Sequence, residues 1–223
     1  MDSKKRMSTG YHPGNYQKYM TKNPLKRKMV ARLNGKLLRL VSAAVREVGG
    51  TQQDQPVRIL DAGCGEGFVS GLLYRGLREE NVEITGLELT EEAIEKARAM
   101  NPEIPFVQGD VLKMPFESRS FDIVLCTEVL EHLEDPGAAL RELLRVTGVS
   151  LIVTVPHEPW FRMGNLLVLK NVTRLGDPID HINHWSYSGF AAFLKVRSGE
   201  RWEMDRSFPW TVASCSLKNE AAI

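Results

Sequence analysis

The chain has 223 residues, of which 43% are hydrophobic and 26% are charged, and its formal net charge is +1. That length can bury a sizeable core in one large domain, and the composition is typical of globular proteins. The near-zero net charge gives no overall signal for a nucleic-acid partner. The three scattered cysteines are too few for a disulfide framework. No apolar run approaches the roughly 18 residues of a membrane span.

The N-terminal part of the sequence divides into a polar arm and a helix. Residues 1–23 are polar and rich in turn-forming residues, so we expect a flexible arm. This arm lacks the apolar core of a secretory signal, which predicts a cytoplasmic protein with reduced cysteines. From Pro24 the apolar residues follow a helical spacing that ends at a glycine pair, so residues 24–50 form a predicted helical extension.

Strand-like and helix-like segments alternate after this extension. The predicted strands cover 57–61, 82–88, 104–108, 121–126 and 149–155. The predicted helices between them cover about 67–79, 91–100 and 136–147. This alternation is typical of βαβ units and predicts an α/β fold, a Rossmann-like, doubly wound, mostly parallel sheet with helices on both faces.

The last third of the chain departs from this alternation. Residues 156–185 form an irregular insertion, and we expect it to be a lid on the substrate side, because the carboxyl ends of parallel strands face the ligand crevice. A short helix is predicted near 186–195. Two strand-like segments, 201–208 and 211–217, flank a turn at Pro209 and predict a terminal antiparallel hairpin at the edge of the sheet. Residues 24–223 are therefore predicted to form a single domain.

The segment "ILDAGCGEGFVS" places three glycines directly after the first predicted strand. Glycines let the backbone pass close to a ligand beside the positive end of the next helix, although a tight turn without a ligand is the alternative. The spacing fails the dinucleotide fingerprint, because the third position counted from Gly63 falls on Phe68, and the lysine and hydroxyl of a nucleotide-triphosphate loop are absent. Asp61 precedes the glycines and would repel a pyrophosphate, whereas it suits a ligand with an ammonium or sulfonium charge.

This segment resembles the first motif of the class I S-adenosylmethionine-dependent methyltransferases, in particular the type 11 and ubiquinone-biosynthesis group of their small-molecule branch. "VEITGLE" ends in Glu88, where this family has the acid that holds the ribose hydroxyls of the cofactor. "VQGDVLKMPFESRSFDIV" has Asp110 in the place that faces the adenine amine, and "LCTEVLEHLEDP" resembles the motif after the fourth strand. The resemblance implies S-adenosyl-L-methionine as the cofactor, with contacts from Asp61, Gly63, Cys64, Gly65, Gly67, Glu88, Leu89, Asp110, Val111 and Thr127.

The resemblance predicts methyl transfer to a small-molecule or lipid-like acceptor, with oxygen as the expected atom. Acceptor and methyl group must be held at near-attack distance, and a hydroxyl acceptor also needs a base. "EVLEH" places His132 just past the fourth strand, so His132 is the predicted catalytic base, with ordering of the loop as the alternative. Two other functions stay open, an RNA-end 2′-O-methyltransferase and a non-catalytic partner protein that binds S-adenosylmethionine.

The same stretch allows a metal-binding interpretation. Glu-x-x-Glu-His resembles the metal-binding motif of small-RNA terminal 2′-O-methyltransferases and ubiquinone-pathway O-methyltransferases, in which a histidine after the fifth strand is a further ligand. The corresponding residues here are Glu128, Glu131, His132 and His181. Many relatives carry "EVLEH" as loop structure, so the prediction includes no metal.

Two segments are candidates for contact with larger partners. Residues 159–177 of the lid fit an amphipathic helix whose apolar side includes Trp160, Phe161 and Leu167. They predict a peripheral membrane contact or a path for an apolar acceptor, with a lid packed on the domain core as the alternative. The basic stretch from Lys18 to Arg39 is interpreted as a solvated helix face, and a nucleic-acid partner is not predicted. The sequence does not indicate an oligomeric state.

Overall fold

The structure is a computed structural model that describes residues 19–50, 55–167 and 181–217. Its helices are α1 (Pro24–Gly49), α2 (Phe68–Gly76), α3 (Glu91–Met100), α4 (Pro136–Val146), α5 (Trp160–Leu167) and α6 (Tyr187–Ser198). Its strands are β1 (Val57–Ala62), β2 (Val82–Glu88), β3 (Phe106–Gln108), β4 (Phe121–Thr127), β5 (Thr147–Pro156), β6 (Glu203–Ser207) and β7 (Trp210–Ser216). A 3₁₀ turn covers Leu130–His132 after β4.

The seven strands form one sheet in the order β3-β2-β1-β4-β5-β7-β6. Strands β1 to β5 pair in parallel, whereas β7 pairs antiparallel with both β5 and β6. The hairpin turn at Phe208 therefore lies at the same edge of the sheet as the carboxyl end of β5, where Pro156 pairs with Trp210. We call this edge, formed by the carboxyl ends of β1 to β5, the carboxyl edge. The predicted fold class, a mostly parallel doubly wound sheet with a terminal antiparallel hairpin, is confirmed.

Two apolar clusters, one on each face of the sheet, form the core. In β1, Ile59 belongs to one cluster and Leu60 to the other, because successive side chains of a strand point to opposite faces. Helices α1, α2 and α3 contribute to the first cluster, and α4 and α6 contribute to the second. Residues 121–126 of β4 are all buried, as expected for a central strand that is covered on both sides.

Some boundaries differ from the predicted ones for local reasons. Strand β3 begins at Phe106 rather than at residue 104, since Pro105 has no N–H to donate to a neighbouring strand. Helix α2 ends at Gly76, about one turn earlier than predicted. Helix α6 continues to Ser198, and Gly199 then adopts φ +72°, the left-handed conformation that commonly ends a helix.

Helix α1 lies beside α2 and runs in the same direction. The ring of Tyr19 stacks on Phe68 at the start of α2, with centroids 4.4 Å apart, and the side chain of Leu38 lies against Gly76 at its end. Because α2 starts just after the carboxyl end of β1, the beginning of α1 is also level with the carboxyl edge. Asn23 caps this end of α1 through its side chain.

Parts of the predicted arm and lid, residues 1–18 and 168–180, lie outside the described residues. Tyr19 belongs to the predicted arm, yet it packs on the domain. In the described part of the lid, Trp160 is exposed whereas Phe161 packs against the first core cluster, so these two aromatic side chains point in different directions. None of the helices in the described ranges combines the length and the apolar composition that crossing a membrane requires.

Candidate active site

The glycine-rich turn follows β1 at the carboxyl edge. Gly63, Gly65 and Gly67 have φ values of +76°, +54° and +76°, a region that favours glycine. A Cβ atom on Gly63 would lie 2.4 Å from Cγ2 of Val129, and one on Gly67 would lie 3.0 Å from the ring of Phe106. The turn therefore needs glycine at these two positions both for its backbone conformation and for space.

Hydrogen bonds from distant parts of the chain hold this turn in place. The backbone N–H groups of Gly63 and Cys64 both donate to the carbonyl of Leu87, at 2.7 and 3.0 Å. Asn101, buried just after α3, donates through Nδ2 to the carbonyl of Gly67 at 3.1 Å. Sequence reasoning missed Asn101, because this contact joins residues 34 positions apart and an asparagine after a helix has a ready explanation as a cap.

Glu88 lies directly against the glycine-rich turn. Its Oε2 accepts a hydrogen bond from the backbone N of Gly65 at 3.0 Å, and its Oε1 accepts one from the backbone N of Thr90 at 3.1 Å. The side chain is partly exposed, and its Oε1 also accepts a hydrogen bond from Thr90 Oγ1 at 3.3 Å, so Oε2 has a further lone pair for a hydroxyl donor. Leu89 follows as an exposed apolar residue at the same edge.

Asp61, at the end of β1, is a fully buried carboxyl group. Its Oδ2 accepts a hydrogen bond from Ser70 Oγ at 2.6 Å, while its Oδ1 has no hydrogen-bond partner among the described residues. Burial raises the pKa of Asp61 from 3.8 to about 6, although the bond from Ser70 acts in the opposite direction. A buried acceptor oxygen of this kind is suited to a cationic ligand group.

Two neighbours of Asp61 complete this end of the site. Burial, together with the charge of Asp61, raises the pKa of the Tyr19 hydroxyl above its usual range. Sequence reasoning missed Tyr19, because a single tyrosine in a polar arm gives no signal. Burial and the nearby carboxylates raise the pKa of the Cys64 thiol well above its ordinary value, which disfavours the thiolate.

The remaining predicted cofactor contacts also lie near the carboxyl edge. Asp110 is exposed two residues after β3, and its Oδ1 accepts a hydrogen bond from the backbone N of Leu112 at 2.8 Å. Val111 beside it is buried. Thr127 is the partly buried last residue of β4. The predicted set therefore follows the ends of four adjacent strands.

Glu128 joins the end of β4 to the terminal hairpin. It has φ +55°, which is uncommon for a residue other than glycine and is found preferentially at functional sites. Its backbone N donates to the carbonyl of Thr154 at 3.0 Å, and its carboxylate accepts a hydrogen bond from Nε1 of Trp210. Sequence reasoning missed Trp210, which lies 82 positions away from Glu128 in the chain.

Glu131, His132 and His181 come together beyond β4. One possible donor atom of each residue lies within 4.8 Å of the others, and the two imidazole rings meet edge to face with centroids 4.9 Å apart. Glu131 is buried, whereas both histidines are partly exposed. Glu128 lies outside this group, so the structure brings together three of the four residues of the metal-binding interpretation.

The segment that carries His181 is held against the 3₁₀ turn by its own backbone. The N–H groups of Ile182 and Asn183 donate to the carbonyl of Glu131 at 2.8 and 2.9 Å. The side chain of Asn183 also donates through Nδ2 to the carbonyl of Leu133 at 2.6 Å. Asn183 is a further positioning residue that sequence reasoning missed, because its partners are loop carbonyls that a motif does not reveal.

Aromatic side chains border the histidine pair. Phe161 of α5 stacks on His181 with ring centroids 5.5 Å apart. Trp160 of α5 and Phe208 of the hairpin turn are both exposed, and their ring centroids lie 6.5 Å apart. Phe161 therefore borders the histidine pair, and its neighbour Trp160 belongs to an exposed aromatic pair.

Known proteins resemble this chain in sequence. A family model described as a methyltransferase domain matches residues 60–149. Norajmaline N-methyltransferase of Rauvolfia serpentina is 28% identical over 125 residues, which cover 52% of this chain and 42% of that protein. A malonyl-(acyl-carrier protein) O-methyltransferase of Enterobacter lignolyticus is 30% identical over 166 residues, 73% of this chain and 62% of that protein. The chain thus spans about two fifths to three fifths of the length of these curated relatives.

A solved structure resembles this chain in fold. The plantazolicin methyltransferase BpumL, in a complex with a pentazolic desmethylPZN analog and SAH, aligns with a TM-score of 0.63 over 91% of this chain and 94% of that chain, at 18% identity. The family match covers the glycine-rich turn, Glu88, Asp110 and His132. The match over residues 60–149 is to a methyltransferase domain, and together with the shared fold it confirms the predicted resemblance of this chain to the class I S-adenosylmethionine-dependent methyltransferases.

Proposed function

We propose that this chain transfers the methyl group of S-adenosylmethionine to an oxygen atom of a small-molecule or lipid-like acceptor. The observation that supports oxygen is His132, a partly exposed imidazole beyond the end of β4 that stands against His181. The names of the relatives include both N- and O-methyltransferases, so they do not select the atom. A hydroxyl acceptor needs a base at this place, whereas a neutral amine does not.

The cofactor would be held by groups on the four strand ends. The buried Oδ1 of Asp61 fits a cationic group, and the carboxylate of Glu88 fits the hydroxyls of a ribose. We assign Asp110 to the adenine amine and the apolar side chains of Leu89 and Val111 to the faces of the base. The cofactor supplies a methyl group that its sulfonium charge has already activated.

In this proposal, His132 accepts the proton of the acceptor hydroxyl as the methyl group is transferred. Glu131 places a carboxylate oxygen within 4.8 Å of a His132 nitrogen, where it can orient the imidazole toward the acceptor hydroxyl. Phe161 and the rest of α5 exclude water from this side, which keeps the acceptor as the only nucleophile near the methyl group.

The same residues support a second role for the site. Two imidazoles and one carboxylate are a ligand set that suits a divalent ion such as zinc, held by Glu131, His132 and His181. Such an ion would act as a Lewis acid toward the acceptor hydroxyl. Treatment with a chelator separates the two roles, because a histidine base keeps its activity without metal and a metal site loses activity until a divalent ion is returned.

Incubation of the full chain with methyl-labelled S-adenosylmethionine and fractionated cell extract tests the proposal. The proposal expects label in the lipid fraction or the small-metabolite fraction. Label in the RNA fraction would instead favour an RNA-end methyltransferase. Binding of S-adenosylhomocysteine without transfer to any fraction would favour a non-catalytic partner protein.

A further inference from the structure

The charges of the chain are strongly segregated along the sequence. Residues 1–46 contain twelve Lys and Arg against a single acidic residue, Asp2, whereas residues 47–223 contain 17 Lys and Arg against 27 Asp and Glu. The near-zero net charge of the whole chain therefore hides a basic N-terminal region attached to an acidic body. Such asymmetry is typical of proteins that bind an anionic surface.

The basic residues of α1 lie where they weaken the helix. The first turn contains no acidic residue, and Arg27 and Lys28 are exposed close behind it. Cations near a helix N-terminus oppose the helix macrodipole, and Lys28, Arg32 and Lys36 follow one another at the spacing at which like charges repel. Lys36 is neutralised by Asp205, but within the described part of the chain no carboxylate pairs with Arg27, Lys28 or Arg32. A locally unfavourable arrangement of this kind points to an external partner.

Exposed apolar side chains accompany these charges. At the beginning of α1, Met20 is 58% exposed and Leu25 is 66% exposed. The aromatic pair of Trp160 and Phe208 is 47% and 53% exposed at the carboxyl edge. Lys36 also donates to the carbonyl of Arg206 at 2.8 Å, two residues before Phe208, so α1 lies beside the hairpin that carries this aromatic residue.

We propose that the first turns of α1, together with Met20, Trp160 and Phe208, form a docking surface for an anionic lipid bilayer. Arg27, Lys28 and Arg32 would contact the headgroups, while the apolar side chains enter the boundary between headgroups and acyl chains. The acidic body is repelled from the same membrane and so fixes the orientation, with the carboxyl edge and its site toward the lipid. This surface goes beyond the proposed methyl transfer, since docking needs no turnover.

An RNA partner would use the same positive charge and could stack bases on Trp160 and Phe208, but it would not use the aliphatic side chains at the beginning of α1. Phosphate binding accounts for arginine and lysine, and single-stranded RNA would add stacking on aromatic rings. At the beginning of α1 the exposed apolar side chains are Met20 and Leu25, which have no ring on which a base can stack. The combination of aliphatic side chains with unneutralised cations therefore favours lipid.

Flotation of the full chain with vesicles tests this surface. Wild type should float at low salt with vesicles of phosphatidylcholine and phosphatidylglycerol, and should stay in solution with phosphatidylcholine alone. The double variant Arg27→Glu/Lys28→Glu should lower the partition coefficient by roughly 30-fold or more, because each basic residue near an anionic surface contributes about fivefold. Acidic residues suit the start of a helix, so the melting temperature of this variant should not fall.

Two further double variants show whether a loss of flotation arises from the proposed docking surface. Lys195→Glu/Arg197→Glu removes two exposed basic residues from the last turn of α6, on the other face of the sheet, and should float like wild type. Met20→Ser/Leu25→Ser should weaken flotation while leaving its salt dependence in place.

The assignment would be overturned if wild type stayed in solution at low salt. It would also be overturned if the α6 control lost flotation as strongly as the α1 double variant. Labelled single-stranded RNA that binds the chain and displaces it from vesicles would overturn it as well. S-adenosylhomocysteine binding and methyl transfer are measured on the same preparations. A failure of the docking surface is thereby distinguished from a failure of the proposed function.

Discussion

Two carboxyl groups of the candidate site, those of Glu88 and Asp61, differ in their burial and in their hydrogen bonds. Glu88 is partly exposed and accepts hydrogen bonds from two backbone N–H groups. Asp61 is fully buried, receives one hydrogen bond from Ser70, and has its pKa raised to about 6 by burial. The ionised form of Asp61 therefore destabilises the folded protein, and a bound cationic ligand would offset this destabilisation.

The stability of the protein should reflect this cost in a pH-dependent way. The folded-state pKa of Asp61 lies above the ordinary 3.8, so the folded state binds the proton more tightly, and stability is lost as the pH rises from about 4 to above 6. Asp61→Asn does not titrate. Its free energy of unfolding relative to wild type should increase by about 3 kcal/mol across that window, as measured by urea denaturation.

The same variant should bind the cofactor more weakly. Above pH 6, Asp61→Asn lacks the negative charge that we assign to the cationic part of the ligand, so its affinity for S-adenosylhomocysteine should fall while its stability rises. A stability difference that stays flat between pH 4 and pH 7 would show that Asp61 keeps its ordinary pKa, and would remove the argument for a strained, ligand-ready carboxylate.

His132 gives the prediction that bears on chemistry. His132→Gln should lower turnover by roughly 10²- to 10⁴-fold, because it removes the proposed base, while the affinity for S-adenosylhomocysteine stays within threefold. His184→Gln is the matched control, since its ring lies 6.4 Å from His181 but outside the group formed by Glu131, His132 and His181. Turnover within threefold of wild type in the His132 variant would exclude His132 as the base.

At the scale of elements, the glycine-rich turn depends on packing as well as on backbone conformation. Gly63 and Gly199 have nearly the same positive φ, +76° and +72°, but a Cβ atom on Gly199 would meet nothing within 4 Å. Gly199→Ala should therefore cost about 1 kcal/mol from backbone strain alone and leave S-adenosylhomocysteine binding unchanged. Gly63→Ala should cost more and weaken binding at least tenfold, because the added methyl group meets Val129 and displaces the turn.

A double variant tests that explanation. Gly63→Ala/Val129→Ala removes the clash and should recover part of the lost stability in thermal unfolding. If Gly63→Ala and Gly199→Ala had equal effects on stability and binding, the turn would tolerate a side chain at residue 63. Glycine would then be needed at that position only for its backbone conformation.

The elements near the site were largely predictable because they depend on local patterns. The periodicity of apolar residues predicts the alternating strands and helices, and the acid at the end of "VEITGLE" places Glu88 at a strand end. The contacts that fix the site were not predictable, because Asn101, Asn183 and Trp210 act through hydrogen bonds over 34 to 82 positions of sequence. The pairing of Trp210 with Glu128 also shows why the four-residue metal motif appears here as a group of three.

At the scale of the whole molecule, the features on which the proposals depend lie at one edge of the sheet. The carboxyl edge has the predicted cofactor-binding groups, the histidine pair, the exposed aromatic residues of α5 and the hairpin, and the basic beginning of α1. An acceptor with an apolar part would approach this edge, and the segregation of charge would turn the same edge toward an anionic surface. These properties arise from parts of the chain that are distant in sequence and that the parallel sheet brings to one side.

Isothermal titration calorimetry of the full chain with S-adenosylhomocysteine tests the central claim, that the turn after β1 with Asp61 and Glu88 is an S-adenosylmethionine site. The account predicts a dissociation constant in the micromolar range or tighter, roughly 8 kcal/mol of binding free energy, no binding of NADH, and loss of the signal in Gly65→Val. Binding of NADH without binding of S-adenosylhomocysteine would contradict it.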